Sequence, residues 1–459
     1  MWRSVLAGLA IGVCGWAQEP LAQRAQRYCA DLVRIDTTNP PGNETRAAEY
    51  IRHELEREGI AVELLGDDPT RLNVVARLRG NGSARPLLLM AHTDVVPADP
   101  GQWTVPAFSA FIKDGFLYGR GTDDDKCLLA AEMAVMVELK RRGTPLRRDL
   151  ILVAEADEET GSTGIRWLVK NAWPKIDAEF GLNEGGYADI TPDGLHIFQV
   201  QTAEKIPTRL RLTATGTAGH GSVPRPDNAV VHLARAIVKV ADGEQPVKLN
   251  ATTSRYLASI AKLPEFRWIA PHLAGLSDPA RATAAAAKIR ARDPELGAIL
   301  QTTVSPTMLS GGVKINVIPN TASVGIDVRR LPDETREEVL ERVRRMVNDP
   351  AVQVEPANEQ VMPATAPSAL TTELYLAIEK VLGASSPRTM VIPAMSRGAT
   401  DSSHLRQKGM ALYGAPVFLR RHKENRAHGN DERIELTSLE AGAKFLYGIV
   451  SRVAATNGN

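Results

Sequence analysis

Four short runs limit the fold more than anything else in the chain: "LNVVARL" (72–78), "PLLLMAH" (86–92), "DLILVAEA" (149–156) and "EFGLN" (179–183). Each has the length of a strand and is rich in apolar residues with little alternation, and helical stretches separate them. "AAEYIRHELEREGI" has one apolar face and stops at Gly59, and "CLLAAEMAVMVELKRRG" ends on basic residues and a glycine. Strands apolar on both faces and separated by helices predict an α/β fold, a mainly parallel sheet sandwiched between helical layers.

Near residue 205 the texture changes. "PTRLRLTATGT" alternates like a half-exposed strand, and the helix "NAVVHLARAIVKVADG" follows it. Later come "TTVSPTMLSGG", "KINVIPNTASVGIDVRR", the helix "DETREEVLERVRRMV" and the strand-like "VQVEP". Strand-helix-strand-strand-helix-strand is the order of a small two-layer α+β domain, ferredoxin-like in plan. The alanine-rich "SDPARATAAAAKIRARDPELGAIL" reads as a helical insertion of about 251–300, packed on this small domain. The expected boundaries are therefore a large domain over 18–204 and 361–459, interrupted by a small domain over 205–360.

The N-terminal "MWRSVLAGLAIGVCGWAQEP" has one arginine, an apolar run and the small-x-small ending Gly15-Trp16-Ala17, the layout of a cleavable export signal over 1–17. A periplasmic or secreted protein is expected, with no membrane attachment after cleavage. Formal net charge is +1 and Lys/Arg runs are short, which argues against a nucleic-acid partner. Removal of the signal leaves Cys29 and Cys127, and spacing does not decide whether they pair.

Polar residues of chemical interest follow the strand-like runs. "PLLLM" leads into Ala91-His92-Thr93-Asp94, "LILVAEA" into Asp157-Glu158-Glu159, and "AEFGL" into Asn183-Glu184-Gly185-Gly186. Carboxyl ends of parallel strands line the ligand crevice of such sheets. Singly, these are turn or cap residues; jointly they bring several carboxylates and a histidine to one edge. A divalent cation makes that convergence favourable, and His with Asp/Glu points to zinc, with manganese or cobalt as substitutes.

Together with "GRGTDDDKC" (119–127), these motifs resemble the dinuclear zinc peptidases and amidohydrolases, the family of carboxypeptidase G, aminoacylase, succinyl-diaminopimelate desuccinylase, acetylornithine deacetylase and carnosine dipeptidases. The resemblance runs from about residue 25 to the C-terminus and implies two Zn2+ per subunit. It makes His92 a ligand and Asp94 the carboxylate that holds its imidazole. Asp124 becomes the bridging ligand, joined to Asp125 by a cis peptide bond, with Asp123 at a variable position. Glu158 becomes the general base and Glu159 a ligand of the second ion, while Glu184 shares the ion of His92. "RAHGNDERIEL" resembles the family's His-x-x-x-Glu ending, which selects His428 as the last ligand over His404 and His422.

The small domain resembles the family's lid and dimerisation domain, which implies a possible homodimer. "GTAGHGSVP" makes His220 a catalytic group at the substrate carbonyl, and "KINVIPN", "DVRRLP" and "GATDS" place Asn316, Arg329 and Thr400 on the substrate side. The implied reaction is amide hydrolysis of small peptides or N-acyl amino acids. A small-acyl deacylase is the alternative within the class. A non-catalytic exported binding protein would lack the base, and an interaction module would leave the ligand set unexplained.

Overall fold

The computed structural model describes residues 19–357, 362–421 and 424–456. The leader expected over 1–17 lies outside these residues, as does His422. A ten-stranded sheet forms the large domain. From one edge it runs Ala61–Leu65, Asn73–Leu78, Leu150–Glu155, Leu87–His92, Phe180–Asn183, Ala411–Gly414, His196–Glu204, Tyr187–Ile190 and Arg420–Arg421, and Thr389–Ser396 also pairs with His196–Glu204. Its centre, from Leu150–Glu155 to Ala411–Gly414, is parallel, and antiparallel pairs flank it on both sides.

The central strands are fully buried because both faces are covered. Helices Leu21–Arg34, Lys126–Arg141 and Leu436–Ala454 pack on one face, and Thr163–Asn171, Trp173–Ile176 and Ser402–Arg406 on the other. Burying each such Leu or Ile contributes about 1.5–3 kcal/mol, which is why these runs tolerate no alternation. Lys126–Arg141 is buried through Leu139 on every side, as expected of a helix wedged between a sheet and two other helices. Cys127 in its first turn is disulfide-bonded to Cys29 of Leu21–Arg34, settling the pairing that spacing left open. On the chain-entropy account, constraining a loop of 98 residues is worth about 4–5 kcal/mol.

The small domain is a four-stranded antiparallel sheet ordered Thr303–Gly311, Thr321–Arg330, Ile206–Thr215, Val352–Pro356. Helices Ala229–Asp242 and Arg336–Val347 cover it, with Leu233, Ala236, Val339 and Val343 set against Leu210, Val324 and Ile326. Helix starts are where the sequence puts them: the Asn228 side chain accepts from Val230 N, and Thr335 forms a capping box with Glu338.

The helical insertion is a correction. Beyond its contact with Leu331 of the small domain, its Leu257, Ile260, Ile289 and Leu296 form a core with Ile197, Ala203, Ile392 and Met395 from two strands of the large sheet. Those two strands, His196–Glu204 and Thr389–Ser396, are separated in sequence, and their shared apolar face needs a cover.

Candidate active site

Strand Leu87–His92 ends by placing His92 in the crevice, 1% exposed. Its Nδ1 donates to the main-chain oxygen of Asp94 at 2.9 Å, with the Asp94 carboxylate farther off at 3.4 Å. This adjusts the sequence expectation. The Asp94 carboxylate chiefly accepts Glu158 N, Glu159 N and the Asn39 amide at 3.1, 3.1 and 2.8 Å. It therefore aims the two glutamates as well as steadying the imidazole.

Asp124 sits between two histidines. Its Oδ1 is 2.8 Å from His92 Nε2, and its Oδ2 is 3.2 Å from His428 Nε2. His428 Nε2 is also 3.1 Å from Glu159 Oε1. Ligand atoms of His92, Asp124 and Glu159 lie within 4.8 Å of one another, as do those of His92, Glu158 and Glu184. The Asp124–Asp125 peptide is cis. His404, the competing histidine, is buried away from this group beside Arg166, and burial followed by that charge pulls its pKa down to about 4.

The loops that deliver these groups have backbone reasons for their sequence. Gly185 and Gly186 follow Glu184 with φ of 103° and 79°, and a Cβ on Gly185 would stand 2.5 Å from the Gln201 amide. Asp157 turns the chain into Glu158 at φ 70°, its carboxylate held by Asn39, Arg71 and Thr163.

Three residues of this scaffold, Glu432, Asn39 and Asp157, have no role assigned to them by the sequence. Glu432 is fully buried and accepts Gly121 N, Asp123 N and Asp124 N at 3.1, 2.7 and 3.1 Å, besides the Arg120 guanidinium. It braces the loop that carries the bridge. Asn39 and Asp157 do the same for the Glu158–Glu159 turn. Asp123, at the variable position, is also engaged: it pairs with Arg420 and accepts Arg426 N, tying the loop to the segment that carries His428.

Charge decides what the cluster can hold. Burial, reinforced by neighbouring carboxylates, pushes Glu158, Glu184 and Asp125 well above the usual carboxylate range. Hydrogen bonds to Asp124 and then Glu159 hold His428 up to about 10. Burial alone would favour neutral His92, yet Asp124 and Asp94 outweigh it and raise its pKa well above the ordinary value. So many acids around two imidazoles form a donor set of oxygen and nitrogen with no free thiol, which fits divalent metal ions.

The four residues expected near substrate have the following contacts of their own. His220 is exposed on a two-residue pairing with Val317–Ile318, its Nδ1 2.7 Å from Ser222 Oγ, and the Asn316 carbonyl accepts Gly221 N beside it. Arg329 pairs with Asp327 at 3.1 Å. Thr400 is buried and donates to Glu204 through N and Oγ1. None of these four is hydrogen-bonded or ion-paired to Asp124, and Thr400 precedes Asp401, which lies close enough to influence Glu158.

The model of a family described as Peptidase family M20/M25/M40 matches residues 88–452, which hold every ligand-type residue above. The chain belongs to that family. As an M20 protein it is a hydrolase of the metallopeptidase and amidohydrolase type. It is 29% identical over 413 residues to the human N-fatty-acyl-amino acid synthase/hydrolase PM20D1, covering 88% of this chain and 79% of that one. The M20 metallo-carboxypeptidase Sso-CP2 of Sulfolobus solfataricus superposes with a TM-score of 0.68 at 20% identity, over 93% of this chain and 98% of that one. The YXEP protein of Bacillus subtilis, described as a dinuclear metal binding peptidase, gives 0.60 at 15% identity over 94% and 97%. Among the described residues no helix is long and apolar enough to cross a membrane.

Proposed function

We propose that the protein is a zinc-dependent hydrolase of amide bonds in peptides or N-acyl amino acids, using two ions and Glu158 as the base. The observation that carries this reading is Asp124, whose two oxygens face histidines from opposite ends of the chain. His92 and Glu184 would share one ion with it, His428 and Glu159 the other. Bound there, the ions would supply Lewis acidity toward water and the amide carbonyl. Glu158, fixed through its backbone by Asp94, takes the proton of the attacking water at its carboxylate and returns it to the departing amine nitrogen.

Zinc loading and activity test this together. Against burial, neighbouring carboxylates raise the pKa of both imidazoles, so binding a cation there displaces protons. Titrating chelated protein with Zn2+ at pH 7 is expected to release protons and to restore hydrolysis of N-acetyl amino acids or dipeptides. Metal affinity falls as pH falls. Absence of both proton release and restored activity would end the reading.

His220, Asn316 and Arg329 are proposed to meet substrate through the small domain, with a homodimer bringing one lid to a partner's site. Exposed Met308, Leu309, Val313 and Ile315 on and beside edge strand Thr303–Gly311 support that association. Sedimentation at micromolar concentration checks it, and a persistent monomer refutes it. The leader-like N-terminus and the Cys29–Cys127 disulfide support placement in an oxidising compartment outside the cytoplasm.

A further inference from the structure

A cavity of about 150 Å³ opens on Asp124 and Glu184, and a larger one of about 800 Å³ adjoins it. Gly186, Tyr187 and Asn425 line both, so the second cavity borders the first beside the ligand cluster. The second is walled by the helical insertion on one side, through Tyr256 and Glu295, and by the large sheet on the other, through Gln199 and Arg397. Its size is that of sites holding drug-sized ligands.

The chemistry of this wall is that of a peptide backbone's partners. Gln199 and Asn425 offer carboxamides, and Arg397 Nη1 lies 3.0 Å from Glu295 Oε2 at the rim. The insertion has apolar side chains in number, but Leu257, Ile260, Ile289 and Leu296 are turned into the core against Ile392 and Met395. They are not available to line an alkyl chain. A long acyl chain here would cover amides and charges without replacing their hydrogen bonds, which costs about 1–3 kcal/mol for each group so buried. A peptide segment satisfies them.

We propose that this cavity is the subsite for a peptide segment extending from the scissile amide, with Gln199 and Arg397 as specificity-determining residues, so that oligopeptides are preferred to N-fatty-acyl amino acids. The inference rests on the amide-hydrolase reading and sets this chain apart from the activity in PM20D1's name. Three substrates with the same leaving group test it: N-acetyl-phenylalanine, N-oleoyl-phenylalanine and a polar tetrapeptide ending in phenylalanine, each with the zinc-loaded full chain. The tetrapeptide is expected to exceed the oleoyl compound at least tenfold in kcat/KM. Gln199→Leu and Arg397→Met, made separately, are each expected to narrow that ratio severalfold, chiefly through KM for the tetrapeptide. An oleoyl compound cleaved as well as the peptide overturns the proposal, as does an equal loss on all three substrates in both variants. Cleavage of none of the three by metal-replete protein instead sinks the amide-hydrolase reading, and the subsite with it.

Discussion

Glu158→Gln is expected to lower kcat for amide hydrolysis by about 10²- to 10⁴-fold while metal content stays at the wild-type level. The substitution keeps the volume of a buried side chain and removes its capacity to accept a proton. Each tenfold loss corresponds to about 1.4 kcal/mol of transition-state stabilisation, so the expected range is about 3–5 kcal/mol. The two readouts separate two roles, because Glu158 also lies within ligand distance of His92 and Glu184. A group that only moves protons leaves metal binding intact; a ligand does not. Wild-type turnover in the variant would show that another residue is the base.

The second large effect is structural. Glu432→Ala is expected to destabilise the protein by about 3–5 kcal/mol, the range for breaking a buried ion pair from one side. Arg120 is 2% exposed and would lose its carboxylate partner, and the amides of Gly121, Asp123 and Asp124 would lose their acceptor. Urea denaturation of metal-free wild type and variant measures this without involving the ions. A change below about 1 kcal/mol would mean that water replaces the carboxylate in the loop, and the brace assigned to Glu432 would be wrong.

Legibility in the sequence followed the range of the interactions. The central strands were readable because burial on both faces leaves an apolar run within a few residues. His92, Glu158, Glu159 and Glu184 were readable because each follows such a run, so strand order alone carries them to one edge. Asp124 and His428 needed the family resemblance, since neither ends a strand. Glu432 was part of a recognised motif, but its work is done on amides more than 300 positions away, and no local pattern records an acceptor waiting for distant donors. The bracing by Asn39 and Asp157 has no local signature for the same reason. The helical insertion was misplaced because its apolar face shows that it must pack without showing on what. Thr400 illustrates another limit: a motif can locate a residue, while the hydrogen bond to Glu204 is visible only once Thr389–Ser396 lies beside His196–Glu204.

The bracing of the Asp124 loop from the far end of the chain has a consequence for how the protein is made. A ribosome delivers His92, Asp124, Glu158, Glu159 and Glu184 long before His428 and Glu432 exist. During that interval the nascent chain carries its acids without the histidine and the carboxylate that organise them. On the two-ion reading proposed above, the full donor set exists only once the C-terminal segment has closed over the Asp124 loop, so full metal occupancy would await the finished chain.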